Sequence, residues 1–355
     1  MNKEIGSEFW IDNYNTNETN SGIPLWLNKF GNIVLTSSGR GAISLALSQF
    51  KPKIKKALLP LYICDSVIMP FEYAGYEIIY YELDEYFTPQ IKDKENIDIG
   101  VFLHMGYFGF PTNENLVKFV SRLKSKAVVV IEDVTHNVFS SYSRVIDSDF
   151  IVGSIRKWFG VPSGGFLSSS NNIKVQLENH PGAFIELRTN GLLKKFEYME
   201  SMDISLKEEY LQNFREAEEL LDKDIHSYRI DKTSQKIINS LNSKNLINSR
   251  IENYKILSKN LQYIDDIKII FEKLDNNVCP MFFPIYVKGN RDRLRLDLIN
   301  RKIYCPIHWS IPEQVKGYLD NKTEYIYNSI LSIPCDQRYN GDDMWRIIST
   351  IEELV

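Results

Sequence analysis

The sequence predicts an α/β protein in two parts, a large domain with a mainly parallel sheet and a smaller C-terminal α/β domain. Three observations carry this. From Ile33 to about Phe166, short apolar runs alternate with amphipathic stretches at the spacing of βα units. Val128-Val129-Val130-Ile131 is a β-branched run without polar alternation, the pattern of a strand covered on both faces. At 355 residues the chain is also too long for one small core and suits a large domain with a second one beside it.

Residues 1–30 are rich in Asn, Thr and Gly and read as an irregular leader packed on the body, with Trp10 and Trp26 as anchors. Residues 31–240 form the large domain. Its strands are expected at Ile33–Thr36, Ala57–Pro60, Glu77–Leu83, Gly100–His104, Ala127–Glu132 and Phe150–Val152, with helices at Ser38–Phe50 and Leu116–Leu123. After Gly165-Phe166-Leu167 the periodic signal weakens through about Asp203. Leu206–Lys223 then has the spacing of an amphipathic helix, and Lys236–Tyr263 reads as one or two more. Residues 241–355 form the small domain, with strands at Met281–Val287, Ile303–Tyr304 and Leu331–Ile333 and helices at Asp292–Arg301 and Asp342–Leu354.

A hydrophobic content of 43% with both charge signs well represented is that of an ordinary globular protein. A net charge of −4 gives no electrostatic reason to expect nucleic acid, and the most basic run, Lys51–Lys56, reads as a solvated turn. Cys64, Cys279, Cys305 and Cys335 are scattered without Cys-x-x-Cys or matching His pairs, so neither zinc nor a disulfide framework is indicated. The N-terminus lacks the apolar run of a signal peptide, and no stretch has the length of a membrane span. A cytoplasmic location without membrane insertion is expected.

Three expected strand ends carry chemistry, and in open α/β sheets ligands sit at such ends. Thr36–Ala42 joins the first strand to a helix with small residues, hydroxyls and free N–H groups, as a phosphate needs. Asp133 closes the AVVVI strand, where a carboxylate is costly without a cationic partner, and His136 follows it. Lys157 follows the Phe150–Val152 strand, three residues after Ser154. Each has an ordinary reading alone: a capped turn, a turn-capping Asp, a loop lysine packed on Trp158. In chain order, however, phosphate loop, carboxylate and lysine meet the requirements of pyridoxal phosphate.

At this point the chain resembles the fold type I pyridoxal-phosphate enzymes, and more narrowly the DegT-type sugar aminotransferases. The resemblance rests on Ser38-Gly39-Arg40-Gly41-Ala42, Leu59-Pro60, Glu132-Asp133-Val134-Thr135-His136, Ser154-Ile155-Arg156-Lys157 with Gly164-Gly165, and Tyr304-Cys305-Pro306-Ile307-His308, and spans roughly residues 30–350. It implies Lys157 as the Schiff-base lysine and proton shuttle, and Asp133 paired to the pyridinium nitrogen. His136 is placed near the ring hydroxyl, and Ser38, Gly39, Arg40 and Ser154 around the phosphate. The family's ring-stacking aromatic aligns nearest Cys64, and Tyr62, two residues earlier, stands in for it. Arg156, Arg188 and His308 fall on the substrate side. Arg40 replaces the family's Thr, and Tyr107-Phe108-Gly109 stands where the family has His-x-Tyr-Gly.

A lysine at 157, where dehydrating members carry histidine, favours transamination. The resemblance implies an amino-acid donor such as L-glutamate, a keto-sugar nucleotide acceptor, a role in surface-polysaccharide or glycan synthesis, and a homodimer. Exposed aromatics around Phe184 and in the 184–200 loop would suit its interface, with a place in the core as the alternative reading. The departures leave open another reaction on the same cofactor, a lyase, an aldolase or a transaminase for a non-sugar ketone. A catalytically silent regulator that keeps the fold also stays open.

Overall fold

Short apolar runs ending in Gly, Ser or Asp give strands whose polar ends gather on one sheet edge, and this arrangement places the site. A computed structural model describes residues 3–11, 22–91 and 97–355. Residues 1–2 and 12–21 of the expected leader lie outside the described residues.

The elements of the large sheet are β2 (Ile33–Thr36), α1 (Gly39–Ser48), β3 (Lys56–Pro60), α2 (Asp65–Tyr73), β4 (Glu77–Leu83), β5 (Pro89–Gln90), β6 (Val101–Met105), α3 (Val117–Ser125), β7 (Val129–Asp133), β8 (Phe150–Ser154), β9 (Gly165–Ser168) and β10 (Glu178–Asn179). After α4 (Gly182–Ser201) and α5 (Ile204–Lys223), β11 (Tyr228–Arg229) returns to it. The strand order is β10-β11-β2-β9-β8-β7-β6-β3-β4-β5. In its centre β2, β3, β4, β6, β7 and β8 run one way and β9 runs against them, so the sheet is mainly parallel. Leu58, Phe102 and Val130 fill one face and Leu59, Leu103 and Ile131 the other, all fully buried, which is why these strands read as unbroken apolar runs.

Beyond α6 (Lys232–Ser240) and α7 (Ser243–Leu261), a second sheet orders β12 (Ile267–Ile269), β13 (Phe283–Val287) and β15 (Ile330–Ile333), all antiparallel. Helices α8 (Arg291–Asn300), α9 (Asn321–Ser329) and α10 (Gly341–Leu354) accompany it. The strand β14 (Ile303–Tyr304), expected in this layer, instead pairs in parallel with β1 (Ile5–Gly6) from the chain start. The leader therefore contributes a strand as well as its aromatic anchors. Trp26 stacks near Phe139 at 4.8 Å and donates Nε1–H to the Ile238 carbonyl at 3.0 Å.

One expectation is corrected outright. Residues 184–200 are not a loop with exposed aromatics but most of α4, and Phe184 is 1% exposed against Ala217 and Leu221 of α5. Burying Phe184 between two long helices satisfies its apolar surface within the chain. Among the described residues no helix is long and apolar enough to cross a membrane, and no group of three His, Cys, Asp or Glu side chains could hold a metal ion.

Candidate active site

Three parallel strand ends meet at one cavity of about 310 Å³, lined by Ser38, Gly39 and Arg40 after β2, by Asp133, Thr135 and His136 after β7, and by Ser154, Arg156 and Lys157 after β8. Backbone bonds tie the three together. Ile155 N–H donates to the Gly164 carbonyl at 3.0 Å and Gly164 N–H to the Ser37 carbonyl at 2.7 Å, so the lysine turn is strapped to the β2–α1 loop. The approach is close: a Cβ on Gly165 would sit 2.3 Å from Ser38 backbone, and one on Gly39 3.0 Å from Ser154 Cβ. At 165 only glycine allows it, and at 39 a side chain would push Ser154 aside.

Ser38 caps α1, its Oγ accepting from Gly41 N–H at 3.1 Å. That leaves the N–H groups of Gly39 and Arg40 in the first turn free of an intrahelical partner, a ready place for an anion. The Arg40 guanidinium faces away from this role. Its Nη1 donates to Asp222 Oδ1 at 2.6 Å and the Leu221 carbonyl at 2.9 Å, tying α1 to α5.

Asp133 is 4% exposed and, among the described residues, accepts hydrogen bonds only from Thr135, whose N–H reaches Oδ1 at 2.8 Å. It enters no ion pair among the described residues, and burial pushes its carboxyl above the usual range despite the Thr135 hydrogen bonds. A buried carboxylate without a cation fits a cationic guest.

His136 accepts from Phe108 N–H at its Nδ1 at 3.2 Å, which places the ring proton on Nε2. Burial, with Lys157 nearby, holds it neutral with a pKa lowered to about 3. His308 also lines the cavity, its Nδ1 2.7 Å from Ser332 Oγ, and burial beside His136 and Lys157 drives it well below the ordinary value. Both imidazoles therefore stay uncharged at neutral pH.

Lys157 is exposed on its turn, and its Nζ makes no hydrogen bond or ion pair among the described residues. The turn itself is rigidly held by its neighbour. Trp158 is fully buried, donates Nε1–H to the Thr135 carbonyl at 2.7 Å, and accepts at its own carbonyl from Arg250 at 3.1 Å and Gln337 at 2.9 Å. The packing of Trp158 thus fixes the lysine rather than hiding it.

Tyr62 does not reach this cavity. Its ring is fully buried among Phe87, Tyr107, Trp309 and Tyr327. Cys64 lines the cavity at the start of α2, and so does Trp309, whose ring lies 5.4 Å from that of His136. Glu218 and Asp222 of α5 complete the wall. Arg156 donates Nη1–H to Glu218 Oε1 at 2.9 Å, and Arg188 stands 3.5 Å from the same oxygen. Against the effect of burial, Arg156, Arg188 and Lys157 hold the Glu218 carboxyl well below its usual range. Neither Glu218 nor Trp309 was legible in the sequence: an acid on an amphipathic helix reads as solvated, and Trp309 reaches the cavity from the segment after β14, far along the chain.

The residues present fit pyridoxal phosphate on their own chemistry. Among the described residues they offer two free helix N–H groups for a phosphate, a buried carboxylate lacking a cation for a protonated ring nitrogen, an Nε2–H for a ring hydroxyl, and an unpartnered amine for an aldehyde.

No protein-family model matches the chain, and no curated protein matches it in sequence. Solved structures match it across nearly its whole length. PseC of Helicobacter pylori, an aminotransferase involved in the biosynthesis of pseudoaminic acid, superposes with a TM-score of 0.70 at 12% identity, covering 99% of both chains. A DegT DnrJ EryC1 StrS aminotransferase of Brucella abortus gives 0.64 at 14% identity, covering 93% of this chain and 89% of that one. Spr1654 of Streptococcus pneumoniae in its PLP form gives 0.67 at 13% identity, covering 98% and 93%. The chain has the fold of these proteins.

Proposed function

We propose that this chain is a pyridoxal-phosphate-dependent aminotransferase of the DegT type, a cytoplasmic homodimer that moves an amino group from an amino acid, with L-glutamate as donor, to a keto-sugar nucleotide in surface-polysaccharide or glycan synthesis. One observation carries the reading: Lys157, Asp133, His136 and the start of α1 converge on a single cavity. Solved structures of this fold named as aminotransferases, one of them involved in the biosynthesis of pseudoaminic acid, support the substrate class.

Bound pyridoxal phosphate supplies an electron sink for a carbanion while its ring nitrogen is protonated. Asp133 would hold the proton on that nitrogen, and its burial strengthens the attraction by lowering the local dielectric. The N–H groups of Gly39 and Arg40, with Ser154 alongside, would orient the phosphate. His136, with its ring proton on Nε2, would donate to the ring hydroxyl. Lys157 Nζ, without a partner among the described residues, would move a proton from the substrate carbon to the cofactor carbon, acting as base and then acid. Trp309 and Cys64, which line the cavity where Tyr62 does not, would be placed to cover the ring.

The absorption spectrum of the purified chain with added pyridoxal phosphate tests this. A yellow band is expected that glutamate bleaches with release of 2-oxoglutarate, and that Lys157→Ala lacks. A band indifferent to glutamate and to other amino acids would sink the transaminase reading, and no band at all would sink the cofactor with it.

A further inference from the structure

Strand β7 turns Asp133 toward the active-site cavity and its neighbour Glu132 toward another cavity, of about 360 Å³, which shares no lining residue with the first. Buried Glu132 and Asn137 form its floor, and Lys29, Ser141, Ser143 and Arg144 form its exposed rim. Two acceptors on the floor have no donor. Glu132, 7% exposed, makes no hydrogen bond through its side chain among the described residues, and its Oε2 lies 3.7 Å from Arg144, too far for one. Asn137, 6% exposed, is turned so that Nδ2 donates to the Phe110 carbonyl at 3.1 Å and to the Tyr142 hydroxyl, which leaves Oδ1 unmatched.

The rim supplies the opposite charge. Lys29 donates one of its three N–H groups to the Ser140 carbonyl at 2.6 Å. Arg144 makes no hydrogen bond among the described residues, and both cations lie 5.0 Å from the centre of the Phe30 ring. Asp133 acts on Glu132 from across the strand, and Glu114 acts on Tyr142. Burial keeps His104, near Arg144, and Cys279, near Lys29, uncharged at neutral pH. Leaving a buried carboxylate and an amide oxygen without donors is costly. A bare cation would satisfy them but meet Lys29 and Arg144, and a bare anion would suit those two but meet Glu132. A molecule that carries ammonium and carboxylate side by side answers both walls through charge-assisted hydrogen bonds.

We propose that this cavity binds a small zwitterion, an α-amino acid, with its ammonium on Glu132 and Asn137 and its carboxylate on Arg144 and Lys29. The site lies outside the active-site cavity and does not rest on the aminotransferase reading.

Calorimetric titration of the full chain, without added cofactor, tests this with glycine, L-serine and L-glutamate, and with methylamine and acetate as the two halves of the zwitterion. Saturable binding of at least one amino acid is expected in both the wild type and Lys157→Ala, about tenfold or more tighter than either half. Glu132→Gln and Arg144→Gln should each weaken that binding about tenfold or more, since each removes a charge from the contact. Glu132→Gln keeps the shape of the floor, and its urea midpoint is recorded in the same buffer, so binding lost from a folded chain is lost contact. If Glu132→Gln does not fold, Arg144→Gln, on the exposed rim, decides. No saturable binding of any amino acid, binding that Lys157→Ala removes, or equal affinities in the wild type and either folded cavity variant would overturn the site. Methylamine or acetate binding as tightly as the amino acids would overturn its zwitterionic character. The yellow band with added pyridoxal phosphate is recorded for each protein: a band without Glu132-dependent binding removes this site and keeps the enzyme, and Glu132-dependent binding without a band does the reverse.

Discussion

Glu132 and Asp133 are neighbours on β7, so their side chains leave the strand on opposite faces and meet different surroundings. Asp133 points into the active-site cavity. Glu132 lines another cavity with Lys29 and Arg144, is 7% exposed, has an unmatched Oε2, and lies 3.7 Å from Arg144. Burial, only partly offset by Arg144, pushes it from 4.5 up to about 7. Because the folded-state value lies above the unfolded one, ionising Glu132 costs stability, and the cost grows from about pH 4.5 to about pH 7. Glu132→Gln should therefore be more stable than wild type by on the order of 3 kcal/mol at pH 8 and indistinguishable from it at pH 4. Urea midpoints across that range check this, and parallel pH curves for the two proteins would refute it. At this scale the sequence showed what strand ends alone determine: Gly39, Asp133 and Lys157 follow from apolar runs that stop. It did not show which side chain covers the site. Tyr62 and Cys64 lie two residues apart in a loop, and whether a loop side chain turns to cavity or core depends on tertiary packing.

The chain start becomes an element of the fold through one residue. Glu4, 1% exposed, accepts from Lys195 at 2.8 Å, Lys207 at 2.6 Å and Tyr198 at 2.7 Å, joining β1 to α4 and α5. Burial alone would raise its pKa, but the two lysines outweigh that and hold it at about 2. A value depressed from 4.5 gives stability that is complete above about pH 4.5 and is lost as pH falls toward 2. Glu4→Gln leaves Lys195, at 0% exposure, as a buried charge without its carboxylate, and should cost about 3–5 kcal/mol at neutral pH. Acid-unfolding curves should converge for the two proteins near pH 2, and a mutant as stable as wild type at pH 7 would refute the anchor. Element α4 shows why this was hidden. Its inward face carries Arg188 and Lys195 among Phe184, Leu192 and Tyr198, so buried charge breaks the apolar period by which α5 is read. Helix α2 carries Pro70 within its span, a residue that reads as a break.

Over the whole molecule, the two sheets do not have separate cores. One continuous apolar cluster runs from Leu58, Phe102 and Val130 on the large sheet through Tyr254 and Leu257 of α7 to Ile285, Leu331 and Ile333 on the small one. The cavity depends on both, taking Asp133 and Lys157 from one side and His308 and Trp309 from the other. Packing that is shared makes unfolding shared, because the cost of a void is felt by every element lining it. Ile333→Ala, at a fully buried position opposite Phe283, should cost about 2–5 kcal/mol. The loss should appear as one calorimetric transition at lower temperature, with amide exchange accelerated alike in β6, β7 and β13. It should also weaken cofactor binding, since Trp309 and His308 reach the cavity from the small-sheet side of the shared core. Two transitions, of which only one moved, would mean that the small sheet folds on its own core and that the site is merely covered by it.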